Sequence, residues 1–300
     1  MLPESPFSSG AAGTTGAAFL KLARSARSEA LGGAAVAGAS DADALFSNPA
    51  GLSSLDPEHP SDLSFSYHSL LESAYLGYAA YGHALGRFGA VGGSVVYFSQ
   101  GAMTAYTSQG DPNGTFAPND LAVALSYAQR FRTFALGGSL KMIRSSVDDV
   151  SGATAALDIG GQAKNVCLLG DRPLDVGASL TNMGPAIKLG GMSAPLPLAL
   201  ALGALWHTTP NVDAYLDVRL PSDQDPYASF GLETNYAFDK LRRKAFLRAG
   251  YNQAYSRDID GLTGLTAGCG LDLGAFRLDY AWVALGDLGM QNRVTLAFRF

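Results

Sequence analysis

Apolar and polar residues alternate along most of this chain, and the pattern is plainest at its end. In residues 293–300, Arg293, Thr295, Ala297 and Arg299 alternate with Val294, Leu296, Phe298 and Phe300. A period of two places one set on each face of an extended strand. The same holds at 211–220, where Val212, Ala214, Leu216, Val218 and Leu220 oppose Asp213, Tyr215, Asp217 and Arg219. At 275–284, Phe276, Leu278, Tyr280 and Trp282 oppose Arg277 and Asp279; at 152–166, Ala155, Leu157 and Ile159 oppose Asp158, Gln162 and Lys164. A strand with one wholly apolar face at the chain end, where chains usually fray, must be held on both edges. Its apolar face must also meet something apolar, either a soluble sheet core or lipid around a closed barrel. Asp158, Arg219, Arg277 and Asp279 lie mid-strand with opposite charges available on neighbouring segments, which fits a wet, polar lumen.

From residue 62 onward the pattern predicts strands at 62–69, 72–83, 86–99, 119–131, 132–145, 152–166, 173–182, 196–207, 211–220, 226–238, 244–254, 262–274, 275–284 and 291–300. This is about fourteen, an even number, as bacterial outer-membrane barrels have. Most approach the length of about ten residues that a tilted strand needs to cross a bilayer. Connections after the second, fourth, eighth, tenth and twelfth segments are short, whereas most of those after odd-numbered segments are longer, led by 100–118. The connection at 70–71 and that at 167–172 depart from this alternation. Short turns at one rim and long loops at the other are expected of a barrel, with both termini on the periplasmic side. Tyr67, Tyr97, Tyr127, Trp206, Tyr236, Tyr251 and Trp282 fall mainly near strand ends, where aromatic girdles stand.

The first sixty residues read differently. Residues 17–33 put Phe19, Leu20, Leu22, Ala23, Ala26, Ala30 and Leu31 near one helical face, with Gly32 and Gly33 placed to stop the helix. Residues 40–55 begin with Ser40 and Asp41 as candidate caps and carry Ala44, Leu45 and Phe46 before Pro49. The expectation is a compact helical or looped segment at 1–60, followed by an all-β barrel at 61–300.

Composition narrows the choice. Charged residues are only 16% of the chain, against roughly 25% in soluble domains. No uninterrupted apolar run reaches the roughly 18 residues of a transmembrane helix; 194–206 is shorter and contains prolines. The 36 glycines and 10% aromatics suit a transmembrane barrel. The net charge of −5 gives no excess for neutralising phosphates, so nucleic acid is not an expected partner. The basic cluster at 240–244 reads as a solvated turn. Cys167 and Cys269 are expected to be free thiols, Cys269 as a small apolar filler. No secretory signal heads the chain, which is read as a mature form whose signal has been removed.

No chemistry stands out. GCGLDLG at 268–274 has the wrong spacing for a dinucleotide loop and precedes a strand. The glycines of 86–94 are better explained by crowding inside the barrel or against a plug. His59, His68, His83 and His207 show no metal-ligand spacing, so neither metal nor cofactor is expected. There is no nucleophile elbow or Walker loop, and a serine–histidine pair assembled in space is the one remaining route to an enzyme. NGT at 113–115 reads as a glycine turn.

Several pieces of the sequence, in order, resemble one family. FLKL, SAR, ALGGA, DAD and NPAGL within residues 12–55, then GTFAPNDLAVALSYAQRF (114–131), LGGSLKMI (136–143) and AALDIGGQAK (155–164), are similar to PorV/PorQ-type outer-membrane proteins, relatives of the FadL long-chain fatty-acid transporters. The resemblance implies a bacterial outer-membrane barrel of fourteen antiparallel strands whose N-terminal segment enters the lumen as a hatch. Asn48, Pro49 and Gly51 would be turn formers in that hatch. Family members act as type IX secretion accessories that hold cargo at the cell surface or as passages for hydrophobic compounds. The expected function is thus a non-enzymatic secretion or surface-assembly component, with outer-membrane lipid and a secretion-system or surface protein as partners. The alternative is a passive route for long-chain fatty acids or similar molecules, with Phe19, Leu22, Leu45 and Phe46 lining a pocket. The chain is short for the FadL branch, which argues against a ligand-capturing groove.

Overall fold

The computed structural model describes residues 2–3, 5–238, 243–256 and 260–300. Of the basic cluster at 240–244, Lys240, Leu241 and Arg242 lie outside the described residues. The strands in chain order are β1 Ser61–Ser69, β2 Tyr75–Ala84, β3 Ala90–Ser99, β4 Met103–Tyr106, β5 Pro112–Phe116, β6 Asn119–Phe131, β7 Phe134–Val147, β8 Val150–Leu169 and β9 Arg172–Met183. There follow β10 Ile187–Leu189, β11 Met192–Ala194, β12 Ala199–Thr209, β13 Val212–Pro221, β14 Tyr227–Ala237, β15 Lys244–Asn252, β16 Thr263–Asp272, β17 Phe276–Leu285 and β18 Met290–Arg299. Fourteen of them close an antiparallel barrel; β4–β5 and β10–β11 form two small hairpins.

Closure explains the alternation at the chain end. β18 pairs with β17 on one edge and β1 on the other, in the register Asp62↔Arg299 to Ser69↔Asn292. Phe300 N–H and Ser61 N–H exchange bonds with each other's carbonyls, both at 3.0 Å. Val294, Phe298, Leu278, Leu216, Leu232, Leu247, Leu125 and Met142 are exposed on the outer wall. Their burial is in lipid, where no unpaired strand edge could be satisfied. Arg277, Asp279, Asp158 and Asp217 are buried on the inside. The two cysteines are free and both face outward.

Differences from the sequence pattern have local causes. Glu72 and Ser73 take positive φ (53° and 63°) and turn the chain, so β2 starts at Tyr75. Gly86 and Gly89 (φ 61° and 86°) bracket a 3-10 turn, so β3 starts at Ala90. β8 runs longer than its apolar pattern because register shifts near Asp158 and Asn165 interrupt the alternation. As a result the connection at 170–171 is tight, which restores the short-turn rule there. The connection at 148–149 is tight as well, on the rim that otherwise carries the longer loops.

The head does not form the helix expected over 17–33. Ala17 adopts φ 52°, Ala18–Lys21 is a 3-10 turn, and only Ala26–Ala30 is α-helical (α1). Ser25 caps α1 by accepting from Ser28 N–H, and Gly32 and Gly33 (φ 68° and 83°) end it as expected. The backbone instead takes partners from the wall: Ala26 N–H bonds Thr295 Oγ1 at 2.8 Å, Gly32 N–H bonds Thr266 Oγ1 at 3.0 Å, and Ala35 and Val36 N–H bond Asp217. These bonds replace an intrahelical ladder. Asp41 does not cap the following 3-10 turn, Ala42–Phe46, with its side chain; that carboxylate is committed to wall arginines.

The head threads the lumen from rim to rim. Phe7 N–H bonds Ser222 O, Thr15 and Lys21 bond Asp223, and Gly16 N–H bonds Pro195 O, all on the long-loop rim. Pro60 accepts from Ala84 N–H at the opposite rim, beside the C-terminus. The expectation of both termini on the short-turn side therefore holds for the C-terminal strand but not for the first residues.

Wall glycines make room for this segment. Cross-strand pairs Gly82↔Gly92, Gly137↔Gly160, Gly177↔Gly203 and Gly231↔Gly250 all face inward. A Cβ at Gly137 would stand 2.5 Å from Ala50 N, at Gly177 2.6 Å from Val36 O, and at Gly250 2.3 Å from Gly32 N. Backbone thus packs on backbone at close range. Gly231→Val should push on Leu31, whose Cβ lies 2.8 Å from the added carbon, at a cost of about 1–3 kcal/mol. The barrel should keep its heat-modifiable gel migration, while limited trypsin digestion cuts at Arg24 and Arg27 faster than in the parent; equal digestion would contradict the socket role.

Candidate functional site

Hatch and wall meet through two unlike surfaces. Toward β2, β3, β6 and β7, Phe19, Ala23, Leu45, Leu52 and Leu55 pack in one buried cluster with Leu76, Tyr78, Val96 and Ile143. Phe19 stacks on Phe98 with ring centres 6.5 Å apart, and Phe46 lies 4.1 Å from Tyr78. The lumen on this side is apolar, not polar as the alternation implied. Apolar hatch side chains pack against it, and on β2 and β3 both faces carry mostly apolar or small residues, which hides the pattern.

Toward β13–β18 the interface is ionic. Arg277 bonds Asp41 at 2.5 Å and Asp43 at 3.3 Å on the hatch, and pairs with Asp279 at 2.9 Å on its own strand. Arg299 reaches Asp41, Asp62 and Asp272. Arg27 of α1 pairs with Glu233 at 3.0 Å, and Glu233 also receives Arg248 at 2.6 Å. Arg293 lies 3.3 Å from Glu29 and donates to Arg24 O and His68. Buried charges of this kind persist only when paired and hydrogen-bonded, and removing one partner strands the other. Burial disfavours the Asp41 carboxylate, yet Arg277 and Arg299 outweigh it and hold the group down at about 2. Burial pushes Asp43 up despite Arg277.

Asn48 ties hatch to wall by a different route. Fully buried, it donates to Val36 O, Gly161 O and Ala178 O and accepts from Ala50 N–H at 3.2 Å, opening the Pro49–Ser54 turn. Pro49 is the first residue of that turn, and Gly51 passes so close to Ala39 that a Cβ would sit 2.4 Å from its carbonyl oxygen.

Between the two surfaces lies a cavity of about 240 Å³. Leu22, Leu45 and Phe46 line it, together with Val96 and Ala122; Phe19 does not, being committed to Phe98. Lys21, Arg24, Lys141, Asp158 and Arg219 also face it, so its wall is mixed. Lys141 is paired with Asp158 at 2.8 Å. A second void of about 30 Å³ lies between α1, the Ala42–Phe46 turn, Tyr215 and Arg277. His68 is bound to Gln291 and Arg293, and His207 to Asp213 and Asp175. Among the described residues no cluster of histidine, cysteine and carboxylate groups is arranged to hold a metal.

A closed fourteen-stranded barrel, apolar outside and threaded by a hatch held through sockets and buried ion pairs, defines a bacterial outer-membrane barrel of the hatch-bearing class. The chain belongs to the PorV family: the family model described as Type IX secretion system protein PorV matches residues 8–219. Among solved structures it is similar to a mutant of the TodX monoaromatic hydrocarbon channel (TM-score 0.61, 13% identity, covering 92% of this chain and 98% of that one). It is also similar to the Ralstonia pickettii toluene transporter TbuX (TM-score 0.57, 16% identity, 92% and 98%) and to a Pseudomonas aeruginosa FadL homologue (TM-score 0.53, 9% identity, 92% and 98%). At these identities the likeness is one of fold. Curated proteins yield no match to the sequence.

The lock predicts a pH signature. A carboxyl held below its ordinary range adds stability that is complete above about pH 4 and disappears as pH falls toward about 2. Asp43 runs the opposite way, so Asp41→Asn isolates the effect. At neutral pH this variant should lose about 2 kcal/mol, the worth of the shift from the ordinary carboxyl value to about 2, while Arg277 keeps Asp43 and Asp279. Thermal melts of the two proteins should converge as pH is lowered from about 4 to 2; a gap independent of pH would contradict the assignment.

Proposed function

We propose that this protein is a non-catalytic PorV/PorQ-like secretion or surface-assembly component, with residues 1–60 acting as a stationary hatch and 61–300 as the barrel that carries it. One observation carries the reading: the hatch meets the wall around most of the circumference, by glycine sockets, an apolar cluster and buried ion pairs. A permanent plug turns the barrel into a platform, and the work then falls to its long-loop rim. There the β4–β5 and β10–β11 hairpins present Tyr106 at 64% and Met192 at 76% exposure. Exposed apolar side chains on such projections are suited to a protein partner. Asn48, Pro49 and Gly51 serve as structural elements of the hatch.

The second reading is a FadL-like passive route for hydrophobic compounds. The cavity lined by Leu22, Leu45 and Phe46 favours it, as do structural neighbours described as toluene transporters. The charges of Lys21, Arg24, Lys141, Asp158 and Arg219 in the same cavity interrupt an apolar path.

Two measurements separate the readings. Reconstituted in a planar bilayer, the protein should pass no steady ionic current and should not speed equilibration of a long-chain fatty acid across vesicles. In pull-downs from the secreting cell, Tyr106→Ser with Met192→Ser should reduce retained surface protein by about tenfold. Fatty-acid flux with unchanged retention would overturn the secretion reading in favour of transport.

A further inference from the structure

The short-turn rim, periplasmic in an outer-membrane barrel, carries a groove beside the exit of the hatch. It has a volume of about 430 Å³ and lies between the β2–β3 turn, the β6–β7 turn and the hatch exit at Ser53–Pro60. Arg87, Arg130 and Arg132 line it, with Gln129, and no carboxylate does. The chain as a whole is acidic, with 26 Asp and Glu against 21 Lys and Arg, so three arginines in one groove are a local concentration, although Asp56 and Glu58 of the adjoining hatch exit are exposed nearby without lining it. All three are exposed. Arg130 donates to Ser54 Oγ at 2.6 Å, and the Arg87 guanidinium lies 4.7 Å from the ring centre of Phe88.

The groove is also built to stay in place. Tyr127 OH donates to Phe88 O at 2.9 Å, and Gln129 Nε2 to Arg87 O, tying the β2–β3 turn to β6. Gly89 seats that turn so tightly that a Cβ would meet Ala128 O at 2.2 Å. Immediately beside the arginines, Phe88, Phe131 and Phe134 are exposed, the latter two stacked at 5.2 Å. Phe131 and Phe134 continue the outward rows of Tyr127 and Leu136, so they face hydrocarbon.

We propose that this groove binds the phosphate of an anionic phospholipid of the inner leaflet, its acyl chains lying along the aromatic residues. Guanidinium groups grip phosphate oxygens bidentately, and aromatic side chains settle at the headgroup level. An acidic protein segment would satisfy the arginines alone; the adjoining lipid-facing rings favour a lipid, as basic pockets at membrane surfaces do.

The test uses the full chain purified in detergent and offered equal amounts of phosphatidylglycerol and phosphatidylcholine, with bound lipid read by native mass spectrometry. The parent should retain phosphatidylglycerol preferentially. Arg87→Gln with Arg132→Gln, which leaves the Arg130–Ser54 bond intact, should lower that retention by about tenfold without changing phosphatidylcholine. Unchanged retention would overturn the proposal. So would displacement of the lipid by a soluble acidic peptide, assigning the groove to protein, or by glycerol phosphate at matched concentration, assigning it to a soluble anion. If the double variant loses heat-modifiable migration, Phe88→Ser, which keeps every charge, should still reduce phosphatidylglycerol retention, and no reduction overturns the proposal as well.

Discussion

Nothing in the hydrocarbon of a bilayer can satisfy a peptide N–H or C=O that its own chain leaves unpaired. Every large feature of this molecule follows from that constraint. It requires the last strand to find the first, which the Asp62↔Arg299 register and the reciprocal Ser61–Phe300 bonds accomplish. It also requires outward side chains to be apolar, and so confines charge to the lumen, where Arg248, Arg277 and Arg293 are buried with their carboxylates.

A ring of this size encloses more space than its inward side chains fill, and the chain fills it with its own beginning. The fit is reciprocal. Where the hatch backbone runs along the wall, the wall gives up its side chains and offers glycine; where the hatch presents apolar residues, the wall answers with Leu76, Val96 and Ile143. Where the hatch carries Arg27, Asp41 and Asp43, Glu233, Arg277 and Arg299 oppose them. The hatch accordingly has little regular structure of its own. Besides its own turns, its backbone N–H groups bond Thr266, Thr295, Asp217 and Asp62 of the wall.

This division of labour bears on function. A plug held by buried ion pairs costs several kcal/mol per pair to strand, which suits a fixed partition better than a gate that opens at each passage. The exposed hairpins of one rim and the arginine groove of the other are then the surfaces on which the proposed protein and lipid contacts would fall. The mixed cavity between them is bounded by the same residues that lock the hatch, including Arg24 and Arg219.

Alternation by itself determined the barrel, because a period of two with a strictly apolar face survives in sequence whenever that face meets lipid. The last strand, β13 and β17 were legible residue by residue for that reason. Fourteen strands and the inward placing of Asp158, Arg219, Arg277 and Asp279 followed from the same rule. The hatch was legible as a separate segment, and Gly32 and Gly33 as its helix stop, but its conformation was not. Helical spacing at 17–33 was overridden by wall partners distant in sequence, and Asp41 left its cap for Arg277, more than two hundred residues away. Local pattern cannot report such contacts. Only the closed ring decided that Phe19 packs away from the cavity that Leu22, Leu45 and Phe46 line, that an apolar cluster occupies one side of the lumen, and that Arg87 and Arg132 of two turns share one groove with Arg130 of β6, since each depends on which strands closure makes neighbours.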